Sequence, residues 1–147
     1  MTNTTTEPIL KTTIRHRCGH TGQYVITKPR AVNWLRTQPC RACAAVEQQR
    51  QAATFERTHN LPPLIGTEKQ IAFAAQIRCR IIHELLQLRR KIPNPVPPGP
   101  NQPRARAFLR LLEKTKRCTS ARAWIDRKDF KATPEAINAI LSKGVTA

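Results

Sequence analysis

Apolar side chains recur at helical spacing in the middle of the chain. From Ile71 to Ile92 they return every three or four residues, which places them on one face of a helix. Thr67 and Gln70 have the spacing of a capping box, in which each side chain bonds the backbone N–H of the other residue. The pattern predicts a long helix over about residues 68–91. Its expected buried stripe is Ile71, Ala74, Ile77, Ile81, Leu85 and Leu88, widened by Phe73, Ile82 and Leu86.

A proline-rich stretch follows this helix. Residues 93–103 contain six prolines, which exclude a helix or an interior strand and predict a semi-rigid linker. Residues 104–116 then predict a short basic amphipathic helix, because Phe108 and Leu112 lie on one face and cations occupy the rest.

Two further helical segments are expected near the C-terminus. The first begins at Ser120 or Thr119, and the second has Thr133 as N-cap and Gly144 as its C′ residue. The apolar side chains of this region are enough for a small helical cluster. Trp124 is expected to anchor that cluster rather than to stack on a nucleic-acid base.

The N-terminal third has a different pattern, which is typical of β-strands and turns. Residues 23–27 are β-prone, residues 28–30 have turn character, and residues 31–36 could form a return strand, so the pattern predicts a hairpin. The residues after Cys43 are strong helix formers and predict a helix that reaches about residue 57.

Four potential metal ligands lie in two short pairs within this third. Cys18 and His20 form a C-x-H pair, and Cys40 and Cys43 form C-x-x-C. Together they supply the four sulfur and nitrogen ligands that tetrahedral Zn²⁺ prefers in structural sites. The N-terminus of the following helix and Arg41 should favour thiolates over thiols. We therefore predict a structural Zn²⁺ on these four residues, with His16 as an alternative to His20.

The fold class predicted from these patterns is mostly α with a small zinc-bound N-terminal β-hairpin, an α+β arrangement. The predicted organisation has four parts: a zinc-ribbon-like module with a trailing helix (residues 12–57), the capped long helix (61–92), the Pro-rich linker (93–103) and a small basic helical unit (104–144).

Two resemblances add to this organisation. The ligand spacing over about residues 12–57 resembles zinc-ribbon and treble-clef modules. Residues 61–78, LPPLIGTEKQIAFAAQIR, and residues 121–126, ARAWID, resemble a group of small, largely uncharacterised bacterial proteins. In that group an LPxLxGSxKQIxWAxxIR stretch precedes a WWID-like stretch, whereas this chain has Phe73 and Ala123-Trp124 at the tryptophan positions. The likeness implies one bacterial module and transfers no catalytic residue.

The motifs argue against an enzyme. PCRAC, residues 39–43, matches half of the zinc deaminase signature, but those enzymes need a glutamate two residues after the first ligand. The first acidic residue after Cys18 is Glu47. Four protein ligands also leave no open coordination position for water. We expect neither an activity nor a small-molecule substrate.

The charge of the chain indicates a polyanionic partner. Lys and Arg number 26 against nine Asp and Glu, a net charge of +17, and the cations occur along the whole sequence. Such a surface is typical of nucleic-acid binding. We expect contacts mainly to the phosphate backbone, with little sequence preference, and the partner could be DNA or RNA. Arg78 and Arg80 are expected among the surface cations of the long helix. The predicted contact residues are Arg15, Arg17, Lys28, Arg30, Arg41, Arg89, Arg90, Lys91, Arg104, Arg106, Arg110, Lys114, Lys116 and Arg117.

Other classes of function remain open from the sequence. A basic adaptor or inhibitor, for example of a host nuclease or CRISPR complex, would share this composition, as would a ribonucleoprotein subunit. A bacterial or mobile-element origin suits each of these interpretations. Residues 1–18 show no secretory h-region, and no apolar run approaches the roughly 18 residues of a spanning helix. We expect a cytoplasmic protein without a membrane partner.

Overall fold

The computed structural model describes residues 11–144, and in that range it contains two strands and six helices. In chain order they are β1 (Lys11–Arg15), β2 (Thr21–Val25), α1 (Pro29–Thr37), α2 (Arg41–Thr58), α3 (Glu68–Arg89), α4 (Gln102–Lys116), α5 (Ala121–Ile125) and α6 (Pro134–Gly144). The prediction of a mostly helical protein with a small N-terminal hairpin is confirmed. The chain divides after Gln48 into two compact units.

The hairpin of the first unit is antiparallel and lies earlier in the chain than predicted. Lys11 pairs with Val25 and Arg15 with Thr21, so the connecting turn holds Cys18 and His20. The predicted return strand over residues 31–36 is wrong, because this segment belongs to α1, which packs against β1. Pro29 suits the first turn of α1, where a backbone N–H has no intrahelical acceptor.

The long helix of the second unit begins as predicted. The Thr67 side chain accepts from the Gln70 N–H at 3.3 Å, and the Gln70 side chain accepts from the Thr67 N–H at 3.0 Å. Four residues of the predicted stripe are buried, while Ile71 and Leu88 are half-buried. Phe73 is 47% exposed, so its predicted place on the buried face is wrong.

Helices α3 to α6 enclose one core. Side chains from all four helices contribute to it, among them Ile81, Phe108, Trp124 and Ile137. The Trp124 side chain has no exposed surface, and its indole N–H donates to the Cys118 carbonyl at 3.0 Å. The expectation that Trp124 anchors a cluster is confirmed.

The Pro-rich segment connects two helices of this core. α4 begins at Gln102, with proline in its first turn, so the segment between the helices ends two residues earlier than predicted. Phe108 of α4 and Leu85 of α3 belong to the same cluster of buried side chains. The regions predicted over residues 61–92 and 104–144 therefore contribute to a single core.

The predicted helix caps near the C-terminus are present. The Ser120 side chain accepts from the Ala123 N–H at 3.2 Å, which makes Ser120 rather than Thr119 the cap of α5. Thr133 accepts from the Ala136 N–H at 3.2 Å and caps α6. Gly144 is the last residue of α6 rather than a residue beyond its end.

The two segments that carry the bacterial resemblance lie side by side. The Ile65 N–H donates to the Thr119 carbonyl at 2.8 Å, and the Ala121 N–H donates to the Ile65 carbonyl at 3.0 Å. A Cβ on Gly66 would lie 2.8 Å from the Cβ of Ala121, so only glycine permits this approach. The LPPLIGT stretch is thus fixed against the start of α5.

Two arginines of α3 have structural partners in the second unit. Arg78 is wrongly expected at the surface, whereas the Arg80 side chain is 38% exposed. Arg78 is fully buried, pairs with Glu56 of α2 and donates to the Pro62 carbonyl at 2.7 Å. Arg80 donates to the carbonyls of Lys128 and Phe130, both at 2.7 Å. Both arginines therefore hold loops against α3.

Helices long and apolar enough to cross a membrane do not occur between residues 11 and 144.

Candidate metal centre and cationic surface

The four predicted ligands converge within the first unit. The hairpin turn supplies Cys18 and His20, Cys40 directly precedes α2, and Cys43 lies in the first turn of α2. Their sulfur and nitrogen atoms all lie within 4.8 Å of one another. This cluster could hold a metal ion.

Two of the separations are close to the edge of a small tetrahedron. The Nδ1 atom of His20 lies 3.6 Å from the Sγ of Cys40 and 3.4 Å from the Sγ of Cys43. Around a tetrahedral ion with bonds of about 2.3 Å to sulfur and about 2.0–2.1 Å to nitrogen, such an edge would be about 3.6 Å. The His20, Cys40 and Cys43 atoms would therefore need only small shifts to bind a central ion.

Backbone groups orient the sulfurs. The Cys40 N–H donates to the Sγ of Cys18 at 3.2 Å, and the Cys43 N–H donates to the Sγ of Cys40 at 3.5 Å. Gly19 has a φ of +86°, a left-handed conformation that glycine adopts without strain, and its N–H donates to the His16 carbonyl at 2.9 Å. This turn places the ligand atoms of Cys18 and His20 within 4.8 Å of each other.

The cluster favours one thiolate and opposes another. The hydrogen bond from the Cys40 N–H is the largest cause that lowers the pKa of Cys18 from 9.0 to about 6. The pKa of Cys43 is raised to about 11, mainly by its contact with the Cys40 side chain, then by burial and by the neighbouring sulfurs. Arg41 was predicted to favour the thiolates, but it is not the main cause of the lowered pKa of Cys18, because backbone N–H groups dominate there. A bound cation would favour ionisation of all these thiols at once.

His16, the alternative ligand, has a different role. It is 5% exposed, and its Nδ1 lies 3.0 Å from the Leu35 carbonyl and 3.2 Å from the Gln38 carbonyl. Because both partners are acceptors, Nδ1 carries the proton and donates. The Nε2 atom then accepts from the Tyr24 hydroxyl at 2.6 Å. Nδ1 thus fastens the end of α1 to the hairpin turn, and Nε2 links that turn to β2.

Replacing each histidine separately should distinguish these roles. His16→Phe should retain one metal ion per chain but reduce the free energy of unfolding by about 1–3 kcal/mol, because buried polar groups lose their partner. His20→Ala should lose the ion. Metal content and a denaturation curve measured on both variants check this. Loss of metal from His16→Phe with retention by His20→Ala would reverse the assignment.

The predicted nucleic-acid contacts lie mostly on the surface. Arg89 and Lys116 are half-buried, and the other twelve side chains are exposed. Arg89 donates to the Ile92 carbonyl at 2.8 Å, which closes the end of α3, and Lys116 pairs with Glu113 at 3.1 Å. These two residues have structural partners, so the exposed twelve are the better candidates for phosphate contact.

One exposed aromatic side chain was not singled out from the sequence. Trp34 of α1 is 62% exposed, although most tryptophans are largely buried. Its neighbours Arg30 and Asn33 are polar, a pattern that places position 34 away from the apolar face of α1. That helical pattern was the available signal, and it was lost because the segment was interpreted as a strand.

The fold and the cluster define a class: a mostly helical protein with a Cys₃His cluster that could hold a metal ion. In comparisons with known proteins, the chain matches no family model, no curated protein and no solved structure. The resemblances to zinc-ribbon and treble-clef modules and to the bacterial group stay predictions.

Proposed function

We propose that the protein is a zinc-stabilised nucleic-acid-binding protein without an active site of its own. The convergence of four donors from two separate segments supports the zinc site. Three thiolates and one imidazole are typical of structural zinc, and four protein ligands close the coordination shell. Zinc would tie the hairpin turn to the start of α2.

The arrangement of the ligands supports a treble-clef-like interpretation of this module. In such modules one ligand pair lies in a turn and the other at the start of a helix. Here Cys18 and His20 occupy the hairpin turn, and Cys43 lies in the first turn of α2. α1 lies between the two pairs as an additional helix.

The charge distribution carries the nucleic-acid part of the proposal. Between residues 11 and 46 the sequence contains seven Lys and Arg and no Asp or Glu, namely Lys11, Arg15, Arg17, Lys28, Arg30, Arg36 and Arg41. All seven side chains are exposed. A surface of one sign attracts a polyanion and releases its counterions on binding. DNA and RNA both satisfy this chemistry.

Salt dependence tests the proposal. If about four phosphates of a generic duplex are neutralised, raising the salt from 50 to 200 mM should weaken binding on the order of 100-fold. Fluorescence anisotropy with a labelled duplex measures this. Arg104→Gln and Arg106→Gln should each lower the salt slope by about one if those side chains touch phosphate. Glu113→Gln, which removes an exposed negative charge, should not lower it. Absent or salt-independent binding would contradict the proposal.

A protein partner is the second candidate, and exposed apolar side chains of the second unit favour it. Ile65 is 71% exposed, Phe73 47% and Ile140 41%. An adaptor, an inhibitor of a nuclease or CRISPR complex, or a ribonucleoprotein subunit would use such side chains at an interface. Tight, salt-insensitive binding to one acidic protein, without affinity for nucleic acid, would favour this candidate.

A further inference from the structure

Trp34 is placed where packing does not require it. The half-buried side chains of α1 are Ala31, Val32 and Leu35, which share one face of the helix. The exposed side chains at Arg30, Asn33, Trp34 and Thr37 form the opposite face, here called the outer face of α1. A large aromatic ring on the polar face of an amphipathic helix adds little to the fold, and at 62% exposure the Trp34 ring is accessible to a ligand.

The outer face of α1 is firmly supported. The buried His16 ring bonds the carbonyls of Leu35 and Gln38, and the Thr37 hydroxyl donates to the Trp34 carbonyl at 2.7 Å. His16 is itself two residues from the metal-ligand candidate Cys18. The indole is therefore held on a backbone that these hydrogen bonds fix, which reduces the entropy lost when a ligand binds it.

The charges around Trp34 select the kind of ligand. Arg30 is one helical turn away, Lys28 and Arg36 lie at the two ends of α1, and no acidic residue occurs between residues 11 and 46. An exposed aromatic ring among cations matches a polyanion that also offers flat π-faces. Proteins that bind single-stranded nucleic acid combine these two features, with bases stacked on aromatic rings and phosphates held by cations.

We propose that Trp34 stacks on an unpaired base, so that the first unit binds single-stranded nucleic acid in preference to duplex. In a duplex the bases are already stacked on one another, and a ring on the outer face of a helix reaches only their edges or the backbone. The proposal rests on the proposed nucleic-acid function and specifies its substrate class. Deoxyribose and ribose strands share the chemistry that Trp34 would recognise.

Anisotropy titrations of the zinc-loaded full chain test this, with labelled oligo(dT), oligo(U) and a duplex of the same length. Trp34→Ala should weaken single-strand binding by about 5- to 150-fold, the effect of losing one stacked base. Duplex affinity should change less than about 2-fold, and the salt slope should be unchanged because no phosphate contact is lost. The two oligonucleotides show whether the preferred strand is DNA or RNA.

Two further variants make the result specific. Trp34→Phe should keep most of the single-strand affinity, because an aromatic ring remains. Phe73→Ala removes an exposed aromatic ring from the second unit and should not change the single-strand affinity. In the unmutated chain, single strands should quench the Trp34 fluorescence, while the buried Trp124 gives a constant background. The quenching does not depend on whether Trp34→Ala folds.

The outcomes separate this proposal from the proposed function. Salt-dependent binding that is equal for duplex and single strand, or that Trp34→Ala leaves unchanged, would overturn the role of Trp34 and keep the proposed function. Binding to no nucleic acid would overturn both. Capture of a protein through Trp34, without nucleic-acid binding, would also overturn both and support the protein-partner candidate.

Discussion

Replacing Cys40 and Cys43 together by serine should remove the metal ion and unfold the first unit. Among the described residues of that unit, Ile14 and His16 are the only buried side chains. Such a small core cannot offset the conformational entropy of the hairpin and α1. Zinc binding contributes about 10–16 kcal/mol in small structural sites, and that free energy is also folding free energy. The first unit should therefore fold only with its ion.

Metal analysis and amide hydrogen exchange measure this effect together. The unmutated chain should contain one zinc ion, and a chelator should abolish protection in β1 and β2 while α3 stays protected. Cys79 and Cys118 belong to the second unit and lie outside the Cys₃His cluster, so their alanine variants serve as controls that keep the ion. A metal-free native chain, or a double serine variant with a protected hairpin, would contradict the prediction.

The parts of the structure that the sequence predicted are those set by local chemistry. The capping box of α3 depends on Thr67 and Gln70 alone, and the cluster depends on two ligand pairs whose short spacings leave few geometries. Both are present in the structure. Such features can be predicted because they need little information from distant parts of the chain.

Strand pairing was harder to predict because it depends on the partner. The β-prone segment around Tyr24 was matched with the residues after it, whereas it pairs with Lys11–Arg15 before it. β-propensity describes a fit to a half-buried surface and does not identify the neighbouring strand. The glycine at position 19, between Cys18 and His20, was the available turn signal, and in the structure it is left-handed.

The burial of Arg78 was likewise beyond the sequence pattern. Arginine is almost never fully buried unless it is paired, so the usual tendency predicts an exposed side chain. Arg78 is buried because Glu56 and the Pro62 carbonyl, 22 and 16 residues away along the chain, supply partners. Tertiary contacts of this kind follow from the fold and not from local periodicity.

Removal of the Glu56 carboxylate should destabilise the second unit more than the loss of any exposed ion pair. Arg78 has no exposed side-chain surface, whereas Glu56 is 26% exposed. The Arg78 Nε has no hydrogen-bond partner in the described structure, so the guanidinium already depends on Glu56 and the Pro62 carbonyl. In Glu56→Ala a buried charge would lose its counter-ion, which typically costs about 3–5 kcal/mol. Because Glu56 is partly exposed, we expect the loss of unfolding free energy in Glu56→Ala to lie at the lower end of this range, at about 3 kcal/mol.

A double-mutant comparison tests whether that cost comes from the stranded charge. Glu56→Leu combined with Arg78→Met replaces both partners by apolar side chains and should recover much of the stability lost in Glu56→Ala, because no unpaired charge remains. Glu113→Gln breaks the exposed pair with Lys116 and should cost less than about 1 kcal/mol. Denaturation followed by fluorescence of the buried Trp124 reports on the second unit. If Glu56→Ala lowers the free energy of unfolding no more than Glu113→Gln does, the buried Arg78 must find another counter-charge or water. That result would contradict the prediction that Arg78 needs Glu56.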